Sequence, residues 1–221
     1  IISILLLAYI YPISIFANTV SFNKYLALGD SIAYGYGLAD RDKDSYAAKV
    51  AKKYNITTEN FQNLAVSGMT CEEFYDQIQK SEYTKAIKSA DLISISIGSN
   101  ELLGIVVRAV ANVTGISEKD SDFINKAQQA FLKASAIEKV TMLNRMYQFC
   151  TSEETKIEIE NAIKTYDDKW VKSVQYIKSL NSDVIIVATE FYNPYYELAF
   201  ASWDIGGFVE EYIKKMNKIL T

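Results

Sequence analysis

The chain has 221 residues, of which 49% are hydrophobic and 23% charged, as is typical of a folded globular protein that buries a substantial core. Its net charge of −4 argues against nucleic acid as a partner, because nucleic-acid binding calls for a basic stripe. The sequence contains no histidine, which excludes a histidine-based zinc site and leaves a Ser-His-Asp triad incomplete within these residues.

The N-terminal segment, residues 1–17, carries no charge and is rich in apolar side chains. Seventeen such residues are marginal for a membrane-spanning helix and suit the core of a signal peptide, with Ala17 as the last residue before cleavage. We therefore expect an exported protein, secreted or held at the cell surface. A retained anchor, with membrane association through this segment, is the alternative, and a buried helix of the fold is a third.

Four short apolar runs predict buried β-strands, at residues 25–28, 60–66, 91–97 and 183–189. Helices are predicted between them: one capped by Asp44 or Ser45 that runs to Tyr54 after a solvated loop at 40–44, one from Glu72, a mostly helical stretch at 102–180 and a last one at 205–220. Gly115 and residues 151–152 are the best breaks in the long stretch. This order predicts a parallel sheet with helices on both faces, a flavodoxin-like three-layer α/β/α fold.

Three of the predicted strands end in a turn of small residues that carries a polar group: residues 29–31, 67–68 and 98–100. Such turns converge on one edge of a parallel sheet, where α/β proteins bind ligands. Ser31 offers a hydroxyl nucleophile, while the N–H groups of Ser31 and Gly68 and the amide of Asn100 offer donors to a tetrahedral oxyanion. Taken singly, Ser31 and Asn100 are equally compatible with helix caps and Gly68 with plain turn geometry.

In this order and spacing, the turns resemble the sequence blocks of the GDSL-type, or SGNH, hydrolases. The first block is matched by residues 29–31 with the trailing Gly35 and Gly37, the second by residues 63–68, and the third by residues 98–101. Residues 191–194 resemble the Tyr-Asn-Pro segment of a Gram-positive subgroup of these lipases and esterases. The similarity spans residues 24–220.

The resemblance implies the SGNH hydrolase fold and ester hydrolysis through an acyl-enzyme, with no metal and no organic cofactor. By this resemblance Ser31 is the nucleophile, and the N–H groups of Ser31 and Gly68 with the Asn100 amide form the oxyanion hole. Asp30 is a supporting residue, as is Glu101, which stands where the family usually has Asp. The partner is a small-molecule, lipid or carbohydrate ester, and the alcohol and the acyl length stay open.

The last block of the family, Asp-x-x-His, has no counterpart, since the sequence lacks histidine and stops at Thr221. We therefore expect a fragment truncated at both ends, with the C-terminal part of the fold missing and little activity of its own. Asp30 or Glu190 as a substitute base is poorly matched to the task, because an ordinary carboxylate has too low a pKa. The alternatives are a non-catalytic binding module with a degenerate SGNH pocket and, more weakly, a phosphate- or nucleotide-binding protein that uses the loop at 29–37.

The predicted domain organisation is therefore a signal peptide or membrane segment at 1–17 and a hydrolase domain at 22–221, with a helical insertion at 102–180. That insertion either forms a lid over an acyl-binding cleft or simply packs against the sheet, and its hydrophobic spacing does not distinguish the two. Cys71 and Cys150 are compatible both with a disulfide and with two separate thiols.

Overall fold

The computed structural model of the chain describes residues 21–193, 196–197, 199–200 and 203–220. In these residues four strands form one parallel sheet in the order β2-β1-β3-β4. Their bounds are β1 Tyr25–Gly29, β2 Phe61–Asn63, β3 Leu92–Ser96 and β4 Ile185–Ala188. The predicted signal segment, residues 1–17, lies outside the described residues.

All four predicted strands are present, and the largest difference is at β2, which ends at Asn63 instead of Val66. Beyond Asn63 the chain still follows β1, because Leu64 N–H donates to Ala27 O at 2.9 Å and Val66 N–H donates to Gly29 O at 2.9 Å. The predicted strand segment therefore does lie beside β1, but residues 64–66 do not have the geometry of a regular strand.

Helices connect the strands. Their bounds are α1 Ser31–Tyr34, α2 Arg41–Asp44, α3 Tyr46–Lys53, α4 Cys71–Gln77, α5 Ser81–Ser89, α6 Ser99–Thr114, α7 Phe123–Lys133, α8 Ala136–Thr151, α9 Glu153–Leu180 and α10 Ile205–Leu220. A short antiparallel pair, β5 Ala199–Phe200 and β6 Trp203–Asp204, precedes α10.

Local capping chemistry decides where several of these helices begin. Ser45 caps α3 by accepting a hydrogen bond from Ala48 N–H at 3.2 Å, which settles the choice between Asp44 and Ser45. The prediction of a plain loop at 40–44 was wrong, because Arg41–Asp44 forms the single helical turn α2.

The long helical stretch begins at Ser99, three residues before the predicted start, and is broken at Gly115 and at Ser152 as predicted. A further break, at Ser135, was not predicted. This residue forms a capping box with Glu138, in which Glu138 N–H donates to Ser135 Oγ and Ser135 N–H donates to the Glu138 carboxylate. The Ser-x-x-Glu pattern was the signal that would have revealed it.

The sheet lies between two hydrophobic clusters, which confirms the three-layer α/β/α architecture. Because side chains alternate along a strand, Leu26 and Ile93 face the large cluster while Tyr25 and Leu92 face the small one. Helix α3 closes the small cluster with Ala47 and Ala51. The large cluster is closed by α4, α5, α9 and α10 through Phe74, Ile78, Ile87, Ile163, Tyr166, Trp170, Ile177, Tyr212 and Met216.

Strand β4 is covered on one face only. Ile186 and Ala188 pack against the large cluster, whereas Ile185 and Val187, on the face of β4 that corresponds to the small cluster, are 43% and 49% exposed. None of the helices in the described ranges combines the length and the apolar character needed to cross a membrane.

Gly29, the last residue of β1, is the tightest point between the two central strands. Its φ of +128° is one that L side chains rarely adopt, and a Cβ there would lie 1.9 Å from the Ser96 carbonyl oxygen. The next residue, Asp30, donates its N–H to that same oxygen at 2.8 Å. Only glycine lets β1 turn into α1 at this distance from β3.

We expect Gly29→Ala to destabilise the fold more than Gly115→Ala. Both variants place a side chain at positive φ, which costs about 1–3 kcal/mol, but a Cβ at Gly115 meets open space. At Gly29 the strand must also move, which adds about 1–3 kcal/mol. Urea denaturation measures both free energies of unfolding. Equal losses in the two variants would show that the close contact with Ser96 does not constrain the turn.

Candidate active site

The turns that follow β1, β2 and β3 are joined by hydrogen bonds at the carboxyl edge of the sheet. Asp30 N–H donates to Ser96 O at 2.8 Å, which joins the first turn to the end of β3, from which the third turn leads. The Asn100 amide Nδ2 donates to Met69 O at 2.8 Å, which joins the third turn to the second. The structure therefore brings the three sequence blocks into one place.

Ser31 is the first residue of α1, is half-buried, and is not the cap of that helix. The cap is Asp30, whose Oδ1 accepts a hydrogen bond from Ile32 N–H at 3.0 Å. The backbone carbonyl of Ser31 accepts from Gly35 N–H at 3.0 Å and Tyr36 N–H at 2.9 Å, so the turn around the serine is closely fixed. The interpretation of Ser31 as a helix cap was wrong.

Gly68 lies on an exposed turn with a φ of +85°, and a Cβ built on it would meet no atom within 4 Å. The start of this loop is anchored by Asn63, whose Nδ2 donates to Ala33 O at 2.8 Å and whose Oδ1 accepts from Ala65 N–H at 3.1 Å. The backbone of Gly68 is thus open to an incoming ligand while the loop that carries it is tied to α1.

Asn100 is the second residue of α6, and its side chain bonds to the Gly68 loop, not to its own helix. The N-cap residue of α6 is Gly98, so no side chain at that position accepts a hydrogen bond from the helix. The interpretation of Asn100 as a cap was therefore wrong. Because a carboxamide has two N–H donors and Met69 O uses one, the other is left for a ligand.

Glu101, the next residue of α6, binds the C-terminal end of the same loop. Its Oε1 accepts a short hydrogen bond from Cys71 N–H at the start of α4. Burial raises the pKa of the Glu101 carboxyl above its ordinary value, although the Cys71 N–H opposes that shift. Asn100 and Glu101 together hold the loop at Met69 and at Cys71, on the C-terminal side of Gly68.

A buried polar cluster, formed by Asp30, Glu101 and Tyr166, lies behind these turns. Asp30 Oδ2, Glu101 Oε2 and Tyr166 Oη are buried and have no hydrogen-bond partner among the described residues. Burial raises the pKa of all three groups, and the charges of the two carboxylates raise that of Tyr166 further. The N–H groups of Ile32, Ser99 and Gly98 oppose the shift at Asp30.

Sequence reasoning missed Tyr166. It lies on the buried stripe of α9 with Ile159, Ile163 and Trp170, and this spacing is typical of a core position. Nothing local in the sequence distinguishes it from its neighbours.

An apolar cavity of about 520 Å³ opens beside the turns, between α6, α9, α10 and the segment after β4. Ile32, Gly98 and Ser99, which neighbour Ser31 and Asn100 in the chain, form part of its wall. A second, polar depression of about 400 Å³ lies beside Gly68 and is lined by Glu73, Asp76 and Lys80 among others. The site is thus flanked by one apolar and one polar space.

The two carboxylates considered as substitute bases are differently placed. The Asp30 carboxylate is fully buried and serves as the cap of α1. Glu190 is exposed at the wall of the apolar cavity.

The segment after β4 is held by α10, since Phe191 N–H donates to Asn217 Oδ1 at 2.8 Å and Asn217 Nδ2 donates to Phe191 O at 2.9 Å. In the predicted Tyr-Asn-Pro segment, Pro194 lies outside the described residues.

Both cysteines are free thiols, so the alternative of a disulfide between them was wrong. Cys71 is buried, and its Sγ lies 3.8 Å from Tyr166 O, to which it donates. Cys150, at the end of α8, lies in the wall of the apolar cavity. Burial raises the pKa of the Cys150 thiol to about 11.

Two solved structures share this fold. The lipase Lip_vut3 from a goat rumen metagenome matches with a TM-score of 0.56 and 16% identity, over 90% of this chain and 74% of that one. The extracellular lipase of Streptomyces rimosus matches with a TM-score of 0.51 and 17% identity, again over 90% and 74%. At these identities the likeness establishes the fold alone.

Among curated proteins, the uncharacterized protein YpmR of Bacillus subtilis (strain 168) is 24% identical over 173 residues. The match covers 76% of this chain and 51% of YpmR, so the chain spans about half the length of that relative. The sequence also matches the GDSL-like lipase/acylhydrolase family over residues 27–219, which include all three turns of the site. The chain therefore belongs to the GDSL-like lipase/acylhydrolase family.

Proposed function

We propose that the protein hydrolyses carboxylic esters and that Ser31 is its nucleophile. The observation that carries this proposal is the hydrogen bond from the Asn100 amide to Met69 O, which sets a side-chain donor beside the open backbone of Gly68. Membership of a lipase/acylhydrolase family supports ester hydrolysis as the general reaction.

In the proposed mechanism, Ser31 Oγ attacks the ester carbonyl carbon and gives up its proton to a general base. The oxyanion that forms is held by the N–H groups of Ser31 and Gly68 and by the second N–H of the Asn100 amide. These donors are held in place before the reaction and need no reorganisation, so they stabilise the transition state more than water would. The alcohol then leaves with a proton, and water hydrolyses the acyl-enzyme in the reverse sequence of transfers. The scheme needs neither a metal nor an organic cofactor.

The general base is the part that these residues do not supply. Because the sequence has no histidine, we assign the base and its orienting acid to residues outside these 221 positions, and we expect the chain by itself to be nearly inactive. Asp30 is engaged as a helix cap, and Glu190 is an exposed carboxylate, a type of side chain that is too weak a base for a serine hydroxyl.

The absence of histidine from the sequence favours a second candidate, a binding module that keeps the oxyanion pocket but does not catalyse a reaction. A ligand with a carbonyl or carboxylate group would then bind at the donors and leave unchanged. The two candidates are separated by turnover in the full-length gene product.

We further propose that the protein is exported, with residues 1–17 as its signal segment and a hydrolase domain at 22–221 that carries a helical insertion at 102–180. The uncharged apolar composition of residues 1–17 supports the signal segment. The similar Streptomyces rimosus enzyme is an extracellular lipase, which agrees with this location.

In the full-length gene product, Ser31→Ala is expected to lower kcat for short p-nitrophenyl esters by a factor of about 10³ or more, since no nucleophile remains. Ser182→Ala is the matched control, because Ser182 is exposed just before β4, at the opposite edge of the sheet. The measurement is the initial rate of p-nitrophenyl ester hydrolysis by each purified variant. Most of the activity surviving in Ser31→Ala would end the nucleophile assignment.

A fluorophosphonate probe separates the candidate functions on the same proteins. An esterase becomes labelled at Ser31 and loses the label in Ser31→Ala, as peptide mass spectrometry records. A binding module or a nucleotide-binding protein takes up no label in either variant.

Asn100→Ala is expected to raise the barrier by about 2.7–4 kcal/mol, mostly in kcat, because an oxyanion donor acts in the transition state. Asn181→Ala is the matched control. Asn181 Nδ2 also donates to backbone carbonyls, those of Ile87 and Ala90, but far from the site. A similar loss of stability in both variants, with a kcat change of less than a few-fold in Asn100→Ala, would reduce Asn100 to a loop tether.

Glu101→Gln is expected to make stability less dependent on pH. Burial raises the Glu101 pKa in the folded state, so the folded protein binds this proton more tightly than the unfolded chain. The free energy of unfolding then falls as pH rises from the unfolded pKa, about 4.3, to the folded one. Glutamine keeps the acceptor for Cys71 N–H and loses this titration.

The measurement is chemical denaturation between pH 4 and 8, with Glu101→Ala as the control that also removes the acceptor and costs about 1–3 kcal/mol. An unchanged pH profile in Glu101→Gln would mean that Glu101 titrates normally in the fold.

A further inference from the structure

We propose that Tyr166 is a positioning residue for the oxyanion donors, and that its hydroxyl joins the buried carboxylates of Asp30 and Glu101 through one internal water molecule. The inference rests on the proposed function for what the donors do. It gives α9, a helix outside the three turns, a role in the site.

The ring of Tyr166 lies directly against the third turn. Gly98 is so close to it that a Cβ built on this glycine would be 2.6 Å from Tyr166 Cε2. Gly98 is also the N-cap residue of α6, the helix that carries Asn100 and Glu101. The start of that helix therefore rests on the Tyr166 ring.

The same residue contacts the C-terminal end of the Gly68 loop and the segment after β4. Cys71 Sγ donates to Tyr166 O at 3.8 Å, and Cys71 N–H donates to the Glu101 carboxylate. The Phe191 ring meets the Tyr166 ring edge to face, with 5.7 Å between their centroids. Tyr166 is thus in contact with three of the segments that surround the site.

Packing alone does not account for the hydroxyl of Tyr166. A phenylalanine would supply the same ring contacts, yet Tyr166 Oη is buried and has no hydrogen-bond partner among the described residues. A buried polar group without a partner costs free energy, and such groups are rare in folded proteins. We therefore expect this hydroxyl to bind a small polar partner.

Two carboxylate oxygens of the same cluster, Asp30 Oδ2 and Glu101 Oε2, also have no partner in the part of the chain that the structure describes. The charges of both carboxylates raise the pKa of Tyr166, and the charge of Asp30 raises the pKa of Glu101, so the three groups are within electrostatic reach of one another. Asp30 also lies near Gly98, as the Tyr166 ring does, since the Gly98 N–H favours the charged form of the Asp30 carboxyl. The three unpartnered atoms thus belong to one buried place.

One water molecule satisfies all three atoms. Its two O–H groups donate to Asp30 Oδ2 and Glu101 Oε2, and its oxygen accepts from the Tyr166 hydroxyl. Buried waters typically make about three hydrogen bonds, to groups that would otherwise be unsatisfied. Within the described ranges no three His, Cys, Asp or Glu side chains are arranged to hold a metal ion, so we assign water and not a cation.

This water connects the supports of two oxyanion donors to α9. Asp30 Oδ1 accepts the Ile32 N–H in the first turn. Glu101 Oε1 accepts the Cys71 N–H at the end of the loop after β2. Without the Tyr166 hydroxyl, the group that holds both carboxylates is incomplete, and each of them binds its N–H group less firmly.

Amide hydrogen exchange of the 221-residue chain tests the positioning role without any turnover. Tyr166→Phe keeps the ring and removes only the hydroxyl. Exchange at the Ile32 and Cys71 amides is expected to quicken about tenfold relative to the amides of α5, because the loss is local to the cluster. Tyr25→Phe is the matched control, since it removes a buried hydroxyl that bonds to Ser94 Oγ at 2.6 Å on the face of the small cluster, and it is expected to leave both amides unchanged.

A crystal structure of the unsubstituted chain tests the water directly. One ordered water is expected at about 2.5–3.0 Å from Asp30 Oδ2, Glu101 Oε2 and Tyr166 Oη. A direct hydrogen bond between the hydroxyl and either carboxylate, or no ordered water at this place, would overturn the water bridge. This measurement stands even if Tyr166→Phe fails to fold.

In the full-length gene product, a positioning residue is expected to act on kcat and not on KM. Tyr166→Phe is expected to lower kcat for short p-nitrophenyl esters about tenfold, because a small displacement of oriented groups slows the reaction, and to change KM less than about twofold. A raised KM with unchanged kcat would contradict the positioning role.

The outcomes separate this inference from the proposed function. Faster exchange confined to the Ile32 and Cys71 amides supports the positioning role of Tyr166 even if the full-length product hydrolyses no ester. Exchange that is unchanged, or that rises equally in α5, overturns it even if that product hydrolyses esters through Ser31.

Discussion

The close approach of β1 to β3 at Gly29 is the constraint on which the candidate site depends. The chain leaves β1 against the Ser96 carbonyl, which also accepts the N–H of Asp30. This contact fixes where α1 begins and hence where Ser31 lies relative to the third turn. A side chain at Gly29 would separate the two central strands at the point where their loops must meet.

Around this point the site is built from two kinds of element, one fixed by its own backbone hydrogen bonds and one fixed by side chains from elsewhere. Ser31 lies in a single helical turn closed by backbone hydrogen bonds, whereas Gly68 lies on an exposed loop. The loop is held from outside, by Asn63 on one side and by Asn100 and Glu101 on the other. Side chains of a strand end and of a long helix thus help to position the backbone of this loop.

The electrostatics of the site are unusual for a place that is proposed to stabilise an anion. Asp30 and Glu101 are buried behind the turns, where burial raises the pKa of both carboxyls and the charge of Asp30 raises that of Glu101 further. Asp30 Oδ1 caps α1, and Glu101 Oε1 accepts the Cys71 N–H at the start of α4, whose cap is Thr70, so both carboxylates help to keep the turns in place. Burying two carboxylates costs stability, and such a cost is commonly retained at functional sites because it fixes geometry there.

The sequence by itself determined the four strands, the three turns and the three-layer fold, because these depend on local periodicity and on small residues after apolar runs. It did not determine what the turn residues bond to. Asn100 and Met69 are 31 positions apart, and their hydrogen bond exists only because β3 and the Gly68 loop meet at one edge. Tyr166 and the walls of the cavity depend likewise on how α6, α9 and α10 pack, since an amphipathic stripe fixes which face of a helix is buried but not what that face meets.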